Sequence, residues 1–192
     1  MSCLSAILSW MRFMPTPIAK STATIHTFEA AGCLFTDGIH VIAGYQPKRG
    51  TKLISGFGGG RRPGESYFDT AMREVLEELL EIKPSEALLD ALNLQFQPSK
   101  VLMNGPYIIL QYSLDDIDTL LDIVSQHYSH SPIYTHMPFG LSDLIFKRKF
   151  LKGMEVETIL ILPLVKDFLV DGNFRKDIDL IQTETESELA QV

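Results

Sequence analysis

The chain has 192 residues, 45% of them hydrophobic, which suffices for one well-buried core and excludes a disordered or fibrous protein. Its 17 basic and 24 acidic side chains leave a net charge of -7, which argues against broad coating of nucleic acid while permitting a local basic mouth. Two cysteines, Cys3 and Cys33, are too few for a disulfide framework or a zinc site, so a reducing, cytoplasmic setting is expected.

Residues 1–23 form an apolar N-terminal segment that runs into Pro15 and Pro17. Arg12 interrupts what would be the apolar stretch of an export signal, so a segment that packs on the chain or on a partner is expected instead. No run reaches the roughly 20 apolar residues of a membrane span, and a soluble protein is expected. The domain proper is expected over residues 24–172. Residues 30–36 and 39–45 read as two strands of a hairpin turning at Asp37-Gly38. A turn at residues 47–50 and a short strand at 52–55 then lead into Gly56-Phe57-Gly58-Gly59-Gly60, whose small residues let the backbone approach a ligand closely.

Pro63-Gly64 marks a turn, and Ser66 with Asp69 three places later has the form of a helix N-cap box, so the spacing predicts a helix from Tyr67 to near Ile82, ahead of Pro84. At about 100° per residue, Glu74, Glu77, Glu78 and Glu81 share an arc of roughly 100°, while Phe68, Ala71, Met72, Val75, Leu76, Leu79 and Ile82 fill the other side. Like charges at these spacings repel by about 0.2–0.5 kcal/mol per pair, and within the helix only Arg73 lies nearby to offset them. Carboxylate oxygens gathered this way suit a hard divalent cation.

A second helix is predicted over residues 85–92, and strands over 100–103 and 107–114 on either side of Asn104-Gly105-Pro106. This order of elements suggests an α/β sandwich rather than a regular βαβ array. Residues 115–153 form an extra segment with a helical pattern through Leu120, Leu121 and Val124. It carries His127, His130 and His136, which lack metal spacing, and the basic run Lys147-Arg148-Lys149. The segment is either a reader of substrate or partner, or a solvated lid. Glu155 and Glu157 precede a buried-looking strand at 158–164. Residues 173–192 read as an acidic tail, a solvated helix or loose end.

Gly59, Glu65, Arg73, Glu74, Val75, Glu77 and Glu78 stand in the order and spacing of the Nudix box, and the chain resembles a Nudix hydrolase. It departs where the box has a glycine and an aliphatic residue: Leu80 and Glu81 stand there, with Ile82 one place late. The resemblance implies an α/β/α sandwich with a mixed sheet, a single domain carrying residues 115–153 as a helical insertion. It implies Mg2+ or Mn2+, with Glu77 and Glu78 as principal ligands, Glu74 as a ligand or as the base that accepts the water proton, and the Gly59 carbonyl completing the site. Glu65 and Arg73 would brace the loop against the helix, and a further acidic ligand would lie ahead of the strand at 158–164, Glu157 being favoured over Glu155.

The box specifies cleavage of a diphosphate linkage in a nucleoside diphosphate joined to some second group. The run Ser55-Gly56-Phe57-Gly58-Gly59 is similar to one in Nudix enzymes that cleanse oxidised purine nucleoside triphosphates, which makes a free nucleotide the first expectation. Arg61 and Arg62 are candidates to clamp phosphate, and Tyr45, Phe57 and Tyr107 to stack on a base. The alternatives are removal of the 5′ cap from RNA along the basic run, hydrolysis of a diphosphoinositol phosphate, which the triple glycine brings to mind, and a catalytically silent binding module.

Overall fold

The computed structural model describes residues 28–47, 54–164 and 170–189. The apolar segment 1–23 and the turn and strand start across 48–53 lie outside the described residues. Seven strands and five helices are described: β1 (Ala30–Phe35), β2 (His40–Tyr45), β3 (Ile54–Ser55), β4 (Phe57–Gly60), α1 (Tyr67–Leu80), α2 (Glu86–Gln95), β5 (Lys100–Asn104), β6 (Tyr107–Tyr112), α3 (Asp116–Ser125), α4 (Leu141–Phe146), β7 (Thr158–Pro163) and α5 (Gly172–Leu189).

One sheet has the order β4-β1-β6-β5 and the other β3-β2-β7. The first is mixed, because β1 runs parallel to β6 and antiparallel to β4. The turn at Asp37-Gly38 forms, but the expected hairpin does not. After a single bridge from Thr36 to Val41, β1 and β2 part into different sheets. A strand has two edges, and both edges of β1 are taken by β4 and β6, while β2 is flanked by β3 and β7.

Alternation along β1 and β6 divides the core. Ala31, Cys33 and Phe35 on β1, with Ile108, Leu110 and Tyr112 on β6, face the cluster that holds the apolar side of α1. Leu34 and Ile109 face the opposite cluster, where Phe174, Ile178 and Ile181 of α5 close over Val41, Ala43, Leu102 and Leu162. Residues 174–181 are therefore a structural layer and not a solvated tail. Their count of acids conceals a stripe at i, i+4 and i+7, and burying each of these large side chains is worth roughly 1.5–3 kcal/mol.

The insertion is likewise part of the core rather than a loose lid. Ile117, Leu120, Leu121, Ile123 and Val124 of α3, and then Ile133, Tyr134, Met137, Leu144 and Met154, join the same cluster as α1. His127, His130 and His136 stay exposed.

One acid on α5 is buried: Asp177 is 8% exposed and accepts a hydrogen bond of 2.8 Å from Asn104 Nδ2. Burial raises its carboxyl from 3.8 to about 6, against the pull of the Asn104 bond and with help from Asp171. The folded state thus holds a proton that the unfolded chain releases at lower pH, so this contribution is complete below pH 4 and is lost as pH rises to about 6. At 1.4 kcal/mol per unit it amounts to about 3 kcal/mol. Asp177→Asn keeps the accepting carbonyl and is expected to raise stability at pH 7.5 by about 2 kcal/mol in urea unfolding, and to flatten the profile between pH 4 and 6. A variant no more stable than the parent at pH 7.5 would show that the carboxylate is solvated.

Candidate active site

The site begins where β4 ends. Pro63 and Gly64 turn the chain, and Ser66 starts α1 with the expected capping box: Ser66 Oγ accepts from the Asp69 N–H at 3.1 Å, and Asp69 Oδ2 accepts from the Ser66 N–H at 3.2 Å. Two turns into the helix, Arg73 points inward and is 4% exposed. Its Nε donates to Glu65 Oε1 at 2.6 Å, and its Nη2 donates to Glu65 Oε2 at 3.0 Å and to the Gly60 carbonyl at 2.8 Å. Its Nη1 donates to Glu74 Oε1 and to Glu77 Oε2, the latter at 3.2 Å.

Glu65 is held from several sides, since its Oε2 also accepts from the Arg62 N–H at 2.9 Å and from Thr70 Oγ1 at 3.0 Å. Burial alone would raise its carboxyl, but the bonds from Arg73, Arg62 and Thr70 bring it from 4.5 down to about 2. Burial would lower the Arg73 guanidinium, yet Glu65 and Glu74 hold it well above its ordinary value. Charge-assisted bonds of this kind are about twice as strong as neutral ones, and a buried charge left unpaired costs several kcal/mol. These contacts join Glu65 and the end of β4 to the middle of α1.

Three carboxylates line the helix beside it. Glu74 is 15% exposed, and burial raises its carboxyl against the pull of Arg73, with Glu77 adding to the rise. The backbone of β4 passes directly over it, so that a Cβ on Gly59 would lie 2.5 Å from Glu74 Cδ, closer than any side chain tolerates. Glu77, 24% exposed, lies between two cations, with Arg62 Nη2 at 3.2 and 3.1 Å from its two oxygens. Glu78 is 2% exposed and turns toward the loop, where Oε1 accepts from Gln46 Nε2 at 2.9 Å and Oε2 from the Gly58 N–H at 2.9 Å.

The remaining expected residues divide. Arg61 is engaged elsewhere, its guanidinium 4.5 Å from the centre of the Phe28 ring and its Nε on the Glu65 carbonyl at 3.0 Å. Phe57 is 1% exposed within the core, so neither ring face is open to a base, and it is corrected here from a stacking residue to a packing one. Tyr45 is half-buried, and its carbonyl accepts the Glu157 N–H at 2.9 Å. Glu157 is also half-buried, whereas Glu155 is exposed.

Several contributors carry no motif. Gly32 and Gly58 stand opposite each other, and the Tyr107 hydroxyl sits over the pair, so that a Cβ on either would come within 2.0 and 2.2 Å of it. Burial, with Asp177, Cys33, Glu78 and Glu74 nearby, pushes the Tyr107 hydroxyl up, and it stays protonated. Arg148 lies at the other end of the helix. It donates to the Leu79 carbonyl at 2.6 Å, the Glu78 carbonyl at 2.9 Å and the Val156 carbonyl at 2.6 Å. It thereby caps α1, whose exit passes through Glu81 in the left-handed region at φ 52° rather than through a glycine. The run Lys147-Arg148-Lys149 is therefore not a continuous basic surface.

Among the described residues, no three His, Cys, Asp or Glu side chains are already arranged as a metal-binding group. Arginines occupy the carboxylates of Glu74 and Glu77 instead. The donor set nevertheless fits a hard cation: it is all oxygen, the Gly59 backbone adjoins Glu74 where a side chain would intrude, and the buried Gln46 Oε1 beside Glu78 has no hydrogen-bond partner.

No family model matches the chain, and no curated protein matches its sequence. Among solved structures it is similar to a bifunctional NMN adenylyltransferase/ADP ribose pyrophosphatase from Francisella tularensis complexed with AMP and a Mn ion, at 12% identity and a TM-score of 0.45, over 94% of this chain and 46% of that one. It is also similar to a NUDIX family hydrolase from Clostridium perfringens, at 14% identity and a TM-score of 0.37, over 82% and 94% of the two chains. A MutT/nudix family protein from Enterococcus faecalis follows at 11% identity and a TM-score of 0.34, over 84% and 51%. The chain thus spans about half the length of the Francisella tularensis protein. At these scores the likeness carries no weight of its own, and the functional reading rests on the residues.

Replacing Arg148 by methionine removes the donor from two carbonyls at the end of α1 and one ahead of β7 and is expected to cost about 3 kcal/mol in urea unfolding, whereas Lys149→Met should stay within about 0.5 kcal/mol. Equal effects from the two variants would contradict the capping role.

Proposed function

We propose that this chain is a metal-dependent pyrophosphohydrolase of the Nudix type, cleaving a diphosphate linkage in a nucleoside diphosphate joined to a second group, with a free nucleotide as substrate. The observation that carries this reading is the buried Arg73, which holds Glu65, Gly60, Glu74 and Glu77 around one guanidinium beneath the glycine strand. Glu74, Glu77, Glu78 and the Gly59 carbonyl would hold Mg2+ or Mn2+, with Glu157 as a further oxygen ligand. When bound, the cation supplies charge relief at the diphosphate and acidifies a coordinated water. The chain's own residues position the reactants: Glu74, seated against the Gly59 backbone, takes the water proton, and Tyr45 offers a half-buried ring to a base. Arg62, exposed at the loop, meets the phosphates.

Free nucleotide is preferred over capped RNA because the basic run offers little track for a backbone. Arg148 is committed to carbonyls, and Lys147 Nζ lies 2.8 Å from Asp143 Oδ1. No described helix is long and apolar enough to cross a membrane. The Cys33 thiol is free and buried, and burial pushes it up.

Purified protein with Mg2+ or Mn2+ is expected to cleave at least one member of a panel of nucleoside triphosphates, nucleoside diphosphate conjugates, diphosphoinositol phosphates and capped RNA, read by chromatography as the phosphate, pyrophosphate or nucleotide released. Glu77→Gln should lower that turnover by more than about 100-fold, the loss implied by several kcal/mol of charge stabilisation, without lowering Tm. Turnover that survives the substitution overturns the assignment, and preference for capped RNA overturns the substrate class.

A further inference from the structure

Among the described residues two cations pair with Glu74 and Glu77, and they differ in their freedom to leave. Arg73 is 4% exposed and pinned by Glu65 and the Gly60 carbonyl, so it cannot withdraw without stranding a buried charge. Arg62 is 56% exposed, and its guanidinium reaches both oxygens of Glu77 at 3.2 and 3.1 Å. Among the described residues, Glu77 Oε1 accepts from no other donor. The backbone of Arg62 is meanwhile fixed, because its N–H donates to Glu65 Oε2 at 2.9 Å. It is an exposed charged head on an anchored base. Next to it, Arg61 carries the same charge but is directed at Phe28 and the Glu65 carbonyl.

We infer that Arg62 is an exchangeable counter-cation: it occupies Glu77 while the site is free of metal, gives way to the divalent cation, and then clamps a phosphate of the incoming diphosphate. This rests on the proposed metal-dependent reading and adds to it an order of events, cation first and phosphate clamp second. The chemistry needs only an exchange of charge-assisted contacts. A metal that takes the Glu77 oxygens competes for them with the exposed Arg62 guanidinium, whose planar donors match the paired oxygens of a phosphate equally well. An exposed pair of this kind is weak enough to be displaced, which sets the size of the expected effects.

The test uses the intact chain and measures binding without turnover. Mn2+ alone is titrated by electron paramagnetic resonance into the parent, Arg62→Gln, Arg62→Lys and Arg61→Gln, and a methylene-bridged nucleoside triphosphate is then titrated calorimetrically at saturating Mn2+. Arg62→Gln is expected to bind Mn2+ about two- to fivefold more tightly and the nucleotide analogue about tenfold more weakly, with Arg62→Lys in between. Arg61→Gln removes the same charge from the next position and should leave Mn2+ affinity near that of the parent. Mn2+ affinity that is unchanged or weaker in Arg62→Gln, or equal tightening in both glutamine variants, overturns the exchange. Tighter Mn2+ with undiminished nucleotide affinity overturns the transfer to phosphate. A parent chain that binds no Mn2+ overturns the metal-dependent reading itself, and the exchange with it.

Discussion

A guanidinium sealed from water at Arg73 is the constraint around which the site is organised. With 4% exposure it can be tolerated only if carboxylates and a carbonyl surround it, and Glu65, charged at any pH above about 2, supplies the permanent partner. The donors left over fall on Gly60, Glu74 and Glu77, so one side chain ties the end of β4 to the middle of α1. Magnitudes show why this outweighs the local conflict along the helix. Repulsion between neighbouring glutamates is worth about 0.2–0.5 kcal/mol per pair, whereas an unpaired buried charge costs several kcal/mol.

The rest of the fold holds the two ends of that helix in register with the sheet. At its start, the glycine strand can lie against Glu74 because Gly59 has no side chain, and the Gly32–Gly58 crossing gives room to the Tyr107 hydroxyl. At its end, a second inward-turned arginine, Arg148, gathers the carbonyls of Glu78, Leu79 and Val156 and joins the helix exit to the approach of β7. That approach carries Glu157. A positive charge there also complements the partial negative charge of a helix C-terminus. The anionic face thus lies between a buried arginine, Arg73, which organises side-chain carboxylates, and a half-buried one, Arg148, which organises backbone oxygens.

Local signals in the sequence described this region well, because they depend on spacing within a few turns. The capping box of Ser66 and Asp69 and the apolar stripe of α1 read directly from residue intervals, whereas the contact of Glu65 with Arg73 was an expectation from the family resemblance alone. What could not be read depends on partners distant in sequence. Nothing in residues 30–45 reveals that both edges of β1 are claimed by β4 and β6, so a sound turn signal led to an expected hairpin that the sheets divide. The acids of α5 concealed Phe174, Ile178 and Ile181, and the basic run concealed an arginine whose partners lie 69 and 70 residues away in the chain. No local signal names Arg148, since the last carbonyls of any helix lack an internal partner and their donor here comes from far along the chain.

The conclusion about function depends on whether oxygens arranged around arginines accept a divalent cation in the place those arginines define. A crystal of the intact chain soaked in Mn2+ and measured at the manganese absorption edge tests this most directly. An anomalous peak bounded by Glu74, Glu77, Glu78 and the Gly59 carbonyl, with Arg73 still seated on Glu65, is the expected result. No peak there, or a peak that forms only after Arg73 has left Glu65, would contradict the account.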